Sequence, residues 1–120
     1  MRPNRTRVIA GPFLIACASV MANGIAIPAS ILRAALDDAA RRTGTAAGAL
    51  QVISQEAVTW PDASLGCPRP GVNYTQALVK GYRIRIGTPG GELDFHASAA
   101  GQLVLCPSSR SVDPAPDDKR

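Results

Sequence analysis

Tyr82-Arg83-Ile84-Arg85-Ile86-Gly87-Thr88-Pro89-Gly90-Gly91-Glu92-Leu93-Asp94-Phe95-His96-Ala97 is the stretch on which the fold turns. Tyr82, Ile84 and Ile86 alternate with Arg83 and Arg85, the period of two expected of a half-buried strand. Leu93, Phe95 and Ala97 alternate in the same way with Glu92, Asp94, His96 and Ser98, and Thr88-Pro89-Gly90-Gly91 supplies the turn between them. The segment therefore predicts an antiparallel hairpin, with Leu78-Val79 leading into it and a bend at Gly81. Its polar face brings Glu92, Asp94 and His96 opposite the two arginines, so the charges there compensate.

On the C-terminal side, residues 99–102 turn the chain and Leu103-Val104-Leu105-Cys106 predicts a further strand. On the N-terminal side, Val52, Ile53, Ala57, Val58 and Trp60 suit a strand whose alternation slips around Ser54-Gln55-Glu56. Trp60 precedes Pro61, and the proline ring keeps it extended. Further upstream Ile31, Leu32, Ala35, Leu36 and Ala39 recur at helical spacing, with Arg33, Asp37, Asp38, Arg41 and Arg42 on the other side. Ser30 is placed to cap this helix, Gly44 to end it, and Arg33–Asp37, Asp37–Arg41 and Asp38–Arg42 to form pairs along it. The expected fold is α+β: one N-terminal helix packed on a four-stranded, mainly antiparallel sheet.

Between the first two strands lies a long loop, Pro61-Asp62-Ala63-Ser64-Leu65-Gly66-Cys67-Pro68-Arg69-Pro70-Gly71-Val72-Asn73-Tyr74-Thr75-Gln76. It has no hydrophobic period, and its prolines limit the freedom of the unfolded chain. The motifs Trp60-Pro61-Asp62, Ser64-Leu65-Gly66-Cys67-Pro68, Pro70-Gly71, Tyr74, Gln76, Gly81-Tyr82-Arg83, His96 and Cys106 together resemble a family of small exported bacterial domains without established activity. The likeness runs from about Leu50 to Cys106. It implies a compact extracytoplasmic module and carries no catalytic residues with it.

The N-terminus reads as an export leader over residues 1–27. Arg2, Arg5 and Arg7 form a basic start, and Val8 to Ile27 is uncharged. Leu14-Ile15-Ala16-Cys17 matches a lipobox, with Cys17 as the lipidation candidate; Val20-Met21-Ala22 offers ordinary cleavage after Ala22 instead. A third reading is an uncleaved anchor, since about 20 apolar residues span a bilayer, although Gly11, Pro12, Asn23 and Gly24 suit one poorly. Three of the thirteen Lys and Arg residues lie in this leader, while all nine acids follow it. The remainder is nearly neutral, which removes the electrostatic basis for nucleic-acid binding.

With Cys17 lipidated or removed, Cys67 and Cys106 remain as a pair for an oxidising compartment. Their disulfide would tie the loop to the last strand, closing about 40 residues and contributing on the order of 4 kcal/mol in the chain-entropy account. Residues 28–106 then form a single small domain, and residues 107–120, with three prolines and no hydrophobic period, read as a disordered tail.

The chemistry is sparse. One histidine and no close cysteine pair leave no metal site, no phosphate-cradling loop is present, and no cofactor is implied. Asp62, Ser64 and His96 are the residue types of a nucleophilic hydrolase, yet Ser64 lacks the glycine-flanked elbow of such sites. The preferred expectation is a non-enzymatic binding or inhibitory module that meets an extracytoplasmic protein or small ligand through loop 61–76, with Leu65, Arg69, Asn73 and Tyr74 as the contact candidates. A loop that only covers the core, tucking Leu65, Val72 and Tyr74 inward, weighs equally. The alternative is an envelope-structural lipoprotein.

Overall fold

The computed structural model describes residues 27–116. The leader reading and the Cys17 assignment fall almost wholly outside them; only Ile27 is described, and it packs against the core.

Helix α1 spans Ala29–Thr43, and four strands follow: β1 Gln51–Trp60, β2 Val79–Thr88, β3 Gly91–Ser98 and β4 Leu103–Leu105. They form one antiparallel meander in the order β1-β2-β3-β4. The fold is thus the α+β arrangement of a helix on a four-stranded antiparallel sheet. Meander order follows from the short connections after β2 and β3, since consecutive strands joined by tight turns pair with each other.

The hairpin register sets Ile84 against Phe95 and Ile86 against Leu93, so the apolar sides of β2 and β3 coincide. Helix α1 lies on that side. Ile31, Ala35 and Ala39 face Ile84, Ile86, Phe95 and Ala97, with Leu32, Leu36, Tyr82, Leu93, Leu103 and Leu105 at the margin. Ala35 and Ala39 are completely buried, and their small side chains let the helix sit close to the sheet. Ile84, Ile86 and Phe95 are also fully buried, each worth roughly 1.5–3 kcal/mol relative to exposure.

Local details depart from the sequence in three places. Helix α1 begins without a side-chain cap: Pro28 stands at its N-cap, its carbonyl accepting from the Ile31 amide, and Ser30 lies inside the first turn. Asp38 takes both Arg41 and Arg42, leaving Asp37 out of the ion pairs. The β1 irregularity falls between Val52 and Ser54, slightly earlier than the lost alternation suggests. Strand β2 runs continuously through Gly81, the position expected to bend. Gly81 is small because the Trp60 indole lies over it: a Cβ would stand 2.9 Å from Trp60 Nε1.

The tail is the largest difference. Residues 107–116 are not a free end but a strap that crosses the sheet face opposite the helix; residues 117–120 of the expected tail lie outside the described residues. The Val112 amide donates to the Gly66 carbonyl (2.8 Å) and the Ala115 amide to the Thr59 carbonyl (2.7 Å). Polar anchoring of this kind leaves no hydrophobic periodicity in the sequence, which is why composition alone reads it as disordered. The domain is consequently three layers deep: helix, sheet, then loop and strap.

Candidate functional site

The face beneath the loop and strap carries the polar side chains of β2 and β3. It is buried, not solvated: His96 has no exposure and Arg83 retains 8 %. Arg83 holds Asp94 in a fork, Nε to Oδ1 at 3.1 Å and Nη2 to Oδ2 at 2.9 Å. This bidentate geometry is the strongest form of a charge-assisted pair. His96 Nε2 lies 3.1 Å from the same Oδ2, and Ser111 Oγ reaches both Arg83 and Asp94.

Burial by itself would raise the Asp94 carboxyl, but hydrogen bonds from His96 and Arg83, with their charges, override it and hold it well below the ordinary carboxylate range. The Arg83 guanidinium is raised in turn, first by the hydrogen bond to Asp94 and against the cost of desolvation.

Trp60 joins this layer to the sheet edge. Its indole stacks on the His96 ring with centroids 4.3 Å apart, and Nε1–H donates to the Ala97 carbonyl at 2.9 Å. The largest aromatic side chain of the domain is thereby fully buried with its polar atom satisfied.

Loop 61–76 divides into two halves. The inner half is locked. Asp62 Oδ1 accepts from the Ser64 amide at 2.8 Å, an Asx turn, and the Ala63 amide donates to the Thr75 carbonyl at 3.1 Å. Leu65 adopts φ 57°, an uncommon conformation for a residue with a Cβ, and thereby aims its carbonyl at His96 Nδ1, 2.6 Å away. Cys67 is bonded to Cys106 across a Cα–Cα distance of 5.7 Å. The outer half is exposed, from Arg69 through Asn73.

These positions sort the contact candidates. Arg69 and Asn73 lie on the surface as expected. Leu65 does not: it is 2 % exposed, its apolar side chain turned into the domain. Tyr74 is half-buried, and its hydroxyl accepts from the Arg69 amide at 3.1 Å, so it braces the loop from inside.

Asp62, Ser64 and His96 do not make a relay. Nδ1 of His96 must donate to the Leu65 carbonyl, Nε2 faces Asp94, and Asp62 is spent on the backbone of Ser64. A general base requires a free ring nitrogen directed at the nucleophile. Ser111 and Asp113 are the polar participants that sequence reasoning passed over. Arg83 and Asp94 were legible as a compensating pair, whereas nothing in the tail marked Ser111 or Asp113.

A family model described as a domain of unknown function, DUF8738, matches residues 32–106. The chain belongs to this family. The DUF8738 match takes in most of helix α1, all four strands, the loop and both bonded cysteines, and stops where the strap begins. No curated protein and no solved structure matches the chain.

Between the outer loop and the strap is a shallow cleft of about 370 Å³, lined by Pro68, Arg69, Pro70 and Ser109 to Val112. Among the described residues, neither Arg69 nor Arg110 has an ion-pair partner. Each of the other positions where an arginine meets the sheet, Arg83 and Arg85, is paired with an acid.

Proposed function

We propose that this domain is a non-enzymatic binding module of the extracytoplasmic space, and that it holds an acidic protein or ligand with the outer half of loop 61–76. The observation that carries the reading is the contrast within the loop: an inner half locked by the disulfide, the Asx turn and Leu65, and an exposed outer half presenting Arg69 and Asn73. A surface preorganised in this way loses little conformational freedom on association. Arg69 and Arg110 both line the cleft between the outer loop and the strap, and among the described residues neither forms an ion pair. The bond between Cys67 and Cys106 supports residence in an oxidising compartment, as does the basic and apolar N-terminus. The non-enzymatic part rests on His96, whose ring is fully buried with both nitrogens engaged.

The test is capture of partners from a periplasmic extract by immobilised wild-type protein and by the Arg69→Ala/Asn73→Ala variant. Both positions are exposed, so the variant keeps its stability within about 0.5 kcal/mol. A partner retained by wild type and lost from the variant supports the proposal. An identical set on both refutes it and favours a structural envelope lipoprotein.

A further inference from the structure

The strap fills a groove that it does not build. One wall is the carbonyl of Gly66 in the inner loop, the floor is the Arg83–Asp94 pair, and the far end is the carbonyl of Thr59 on β1. All of these lie within residues 32–106, the family unit, while the occupant comes from residues 107–116, outside it. We propose that this groove is a binding site for an extended, proline-flanked peptide with a hydroxyl residue and, two positions later, a carboxylate, and that the chain's own Ser111-Val112-Asp113 occupies it in cis.

Three features give the groove the character of a peptide site. The first is main-chain recognition: Gly66 and Thr59 offer carbonyls to the amides of Val112 and Ala115, three residues apart. Bonds of this sort accept any extended backbone and supply affinity. The second is side-chain readout. Arg83 Nη2 donates to Ser111 Oγ at 3.3 Å, Ser111 Oγ–H points to Asp94 Oδ2 at 3.4 Å, and Arg83 Nη1 lies 3.8 Å from Asp113 Oδ1. The third is room for close approach. Gly66 has φ +71°, and a Cβ on it would come within 2.6 Å of the Trp60 ring and 2.8 Å of the Val112 carbonyl oxygen, so a glycine lets both the indole and the peptide backbone lie against the loop.

The occupant itself is lightly held. Val112 is 45 % exposed and the Asp113 side chain 95 % exposed. Little apolar surface binds the strap to the domain, so its polar contacts can exchange with those of a competing peptide while the core stays intact. Pro107, Pro114 and Pro116 restrict the free segment and lower the ordering cost of docking. This site borders the outer cleft, which the strap residues Ser109 to Val112 also line; its test reads uptake of a peptide and not capture through Arg69 and Asn73.

The experiment uses the full chain and a fluorescein-labelled synthetic peptide of residues 107–116, read by fluorescence polarisation. In wild type the tethered segment competes at an effective concentration in the millimolar range. The Ser111→Ala/Asp113→Ala variant weakens that competitor, so it should take up the labelled peptide about tenfold more tightly than wild type. The same peptide carrying both alanines should lose its binding to the variant. A companion measurement, amide hydrogen exchange of wild type, should show Val112 and Ala115 exchanging about a hundredfold faster than the central amides of β2, as for a locally opening segment. The proposal is overturned if the folded variant takes up neither peptide, if both peptides bind it equally, or if Val112 and Ala115 exchange as slowly as β2. Should the variant fail to fold, the exchange measurement alone decides.

Discussion

Asparagine in place of Asp94 probes the ionic layer where its partners converge. The substitution keeps the volume of the side chain and removes its charge, so Arg83, 10 % exposed, loses its counter-ion and His96, fully buried, loses its carboxylate partner. Stranding one member of a fully buried pair costs about 3–5 kcal/mol. Asp94 keeps 18 % of its side chain in water, and the amide oxygen still accepts one hydrogen bond, which lowers the expectation to about 2–3 kcal/mol. Trp60, the only tryptophan, stacks directly on His96, so its emission during urea unfolding reports the loss. The acid limb gives a second reading. The folded-state Asp94 carboxyl is depressed below its unfolded value of about 3.9, so its stabilisation is complete above about pH 5 and disappears as pH falls. Asp94→Asn should therefore flatten the decline of stability between about pH 5 and pH 2. Joint replacement, Arg83→Met with Asp94→Leu, should cost less than Asp94→Asn alone, because no unpaired partner of the fork is left behind. A loss below about 1 kcal/mol for Asp94→Asn, the size of an ordinary exposed hydrogen bond, with an unchanged acid limb, would refute the account of this layer.

Three further outcomes are expected. Cys67→Ser/Cys106→Ser should lose about 4 kcal/mol in thermal or urea unfolding, from the 39-residue separation the bond closes; a variant as stable as wild type would contradict the cross-link's role. Gly81→Ala should destabilise by about 2–3 kcal/mol through overpacking, since its methyl would press on the Trp60 indole and on the Ala97 carbonyl, and near-ultraviolet circular dichroism should show the displaced tryptophan. Ile84→Ala should cost about 2–4 kcal/mol by leaving a void under helix α1, measured as a lower urea midpoint with unchanged slope.

Much of this architecture is written in alternation. Tyr82 to Ile86 and Leu93 to Ala97 each present a clean period of two, and their register in the hairpin follows because any one-residue slip would turn Ile84 and Phe95 away from the helix. Helix α1 was equally legible from Ile31, Ala35 and Ala39, and Gly44 ends it in the left-handed conformation. What alternation conceals is the fate of the second face. Arg83, Asp94 and His96 look like a solvated side, because a sequence shows that residues are polar and not whether other chain segments will cover them. The covering segments, Ser64 to Cys67 and residues 107–116, have no period and are held by backbone hydrogen bonds and a disulfide. For the same reason the sequence leaves Leu65 open between contact residue and core cover, and the structure buries it at a positive φ that local pattern does not signal for leucine, while Val72 stays exposed. Arg69 and Asn73 are exposed, in a part of the loop that is rich in proline and glycine and offers little apolar surface to bury.

The bond between Cys67 and Cys106 encloses β2, β3 and β4 in one covalent ring and leaves α1 and β1 outside it. Under a pulling force applied along the chain, the load bypasses the ring's interior and passes through the sulfur bridge. Stretching therefore peels away the helix and unzips β1 from β2, while the three-stranded remainder stays closed and shields its contour length from extension.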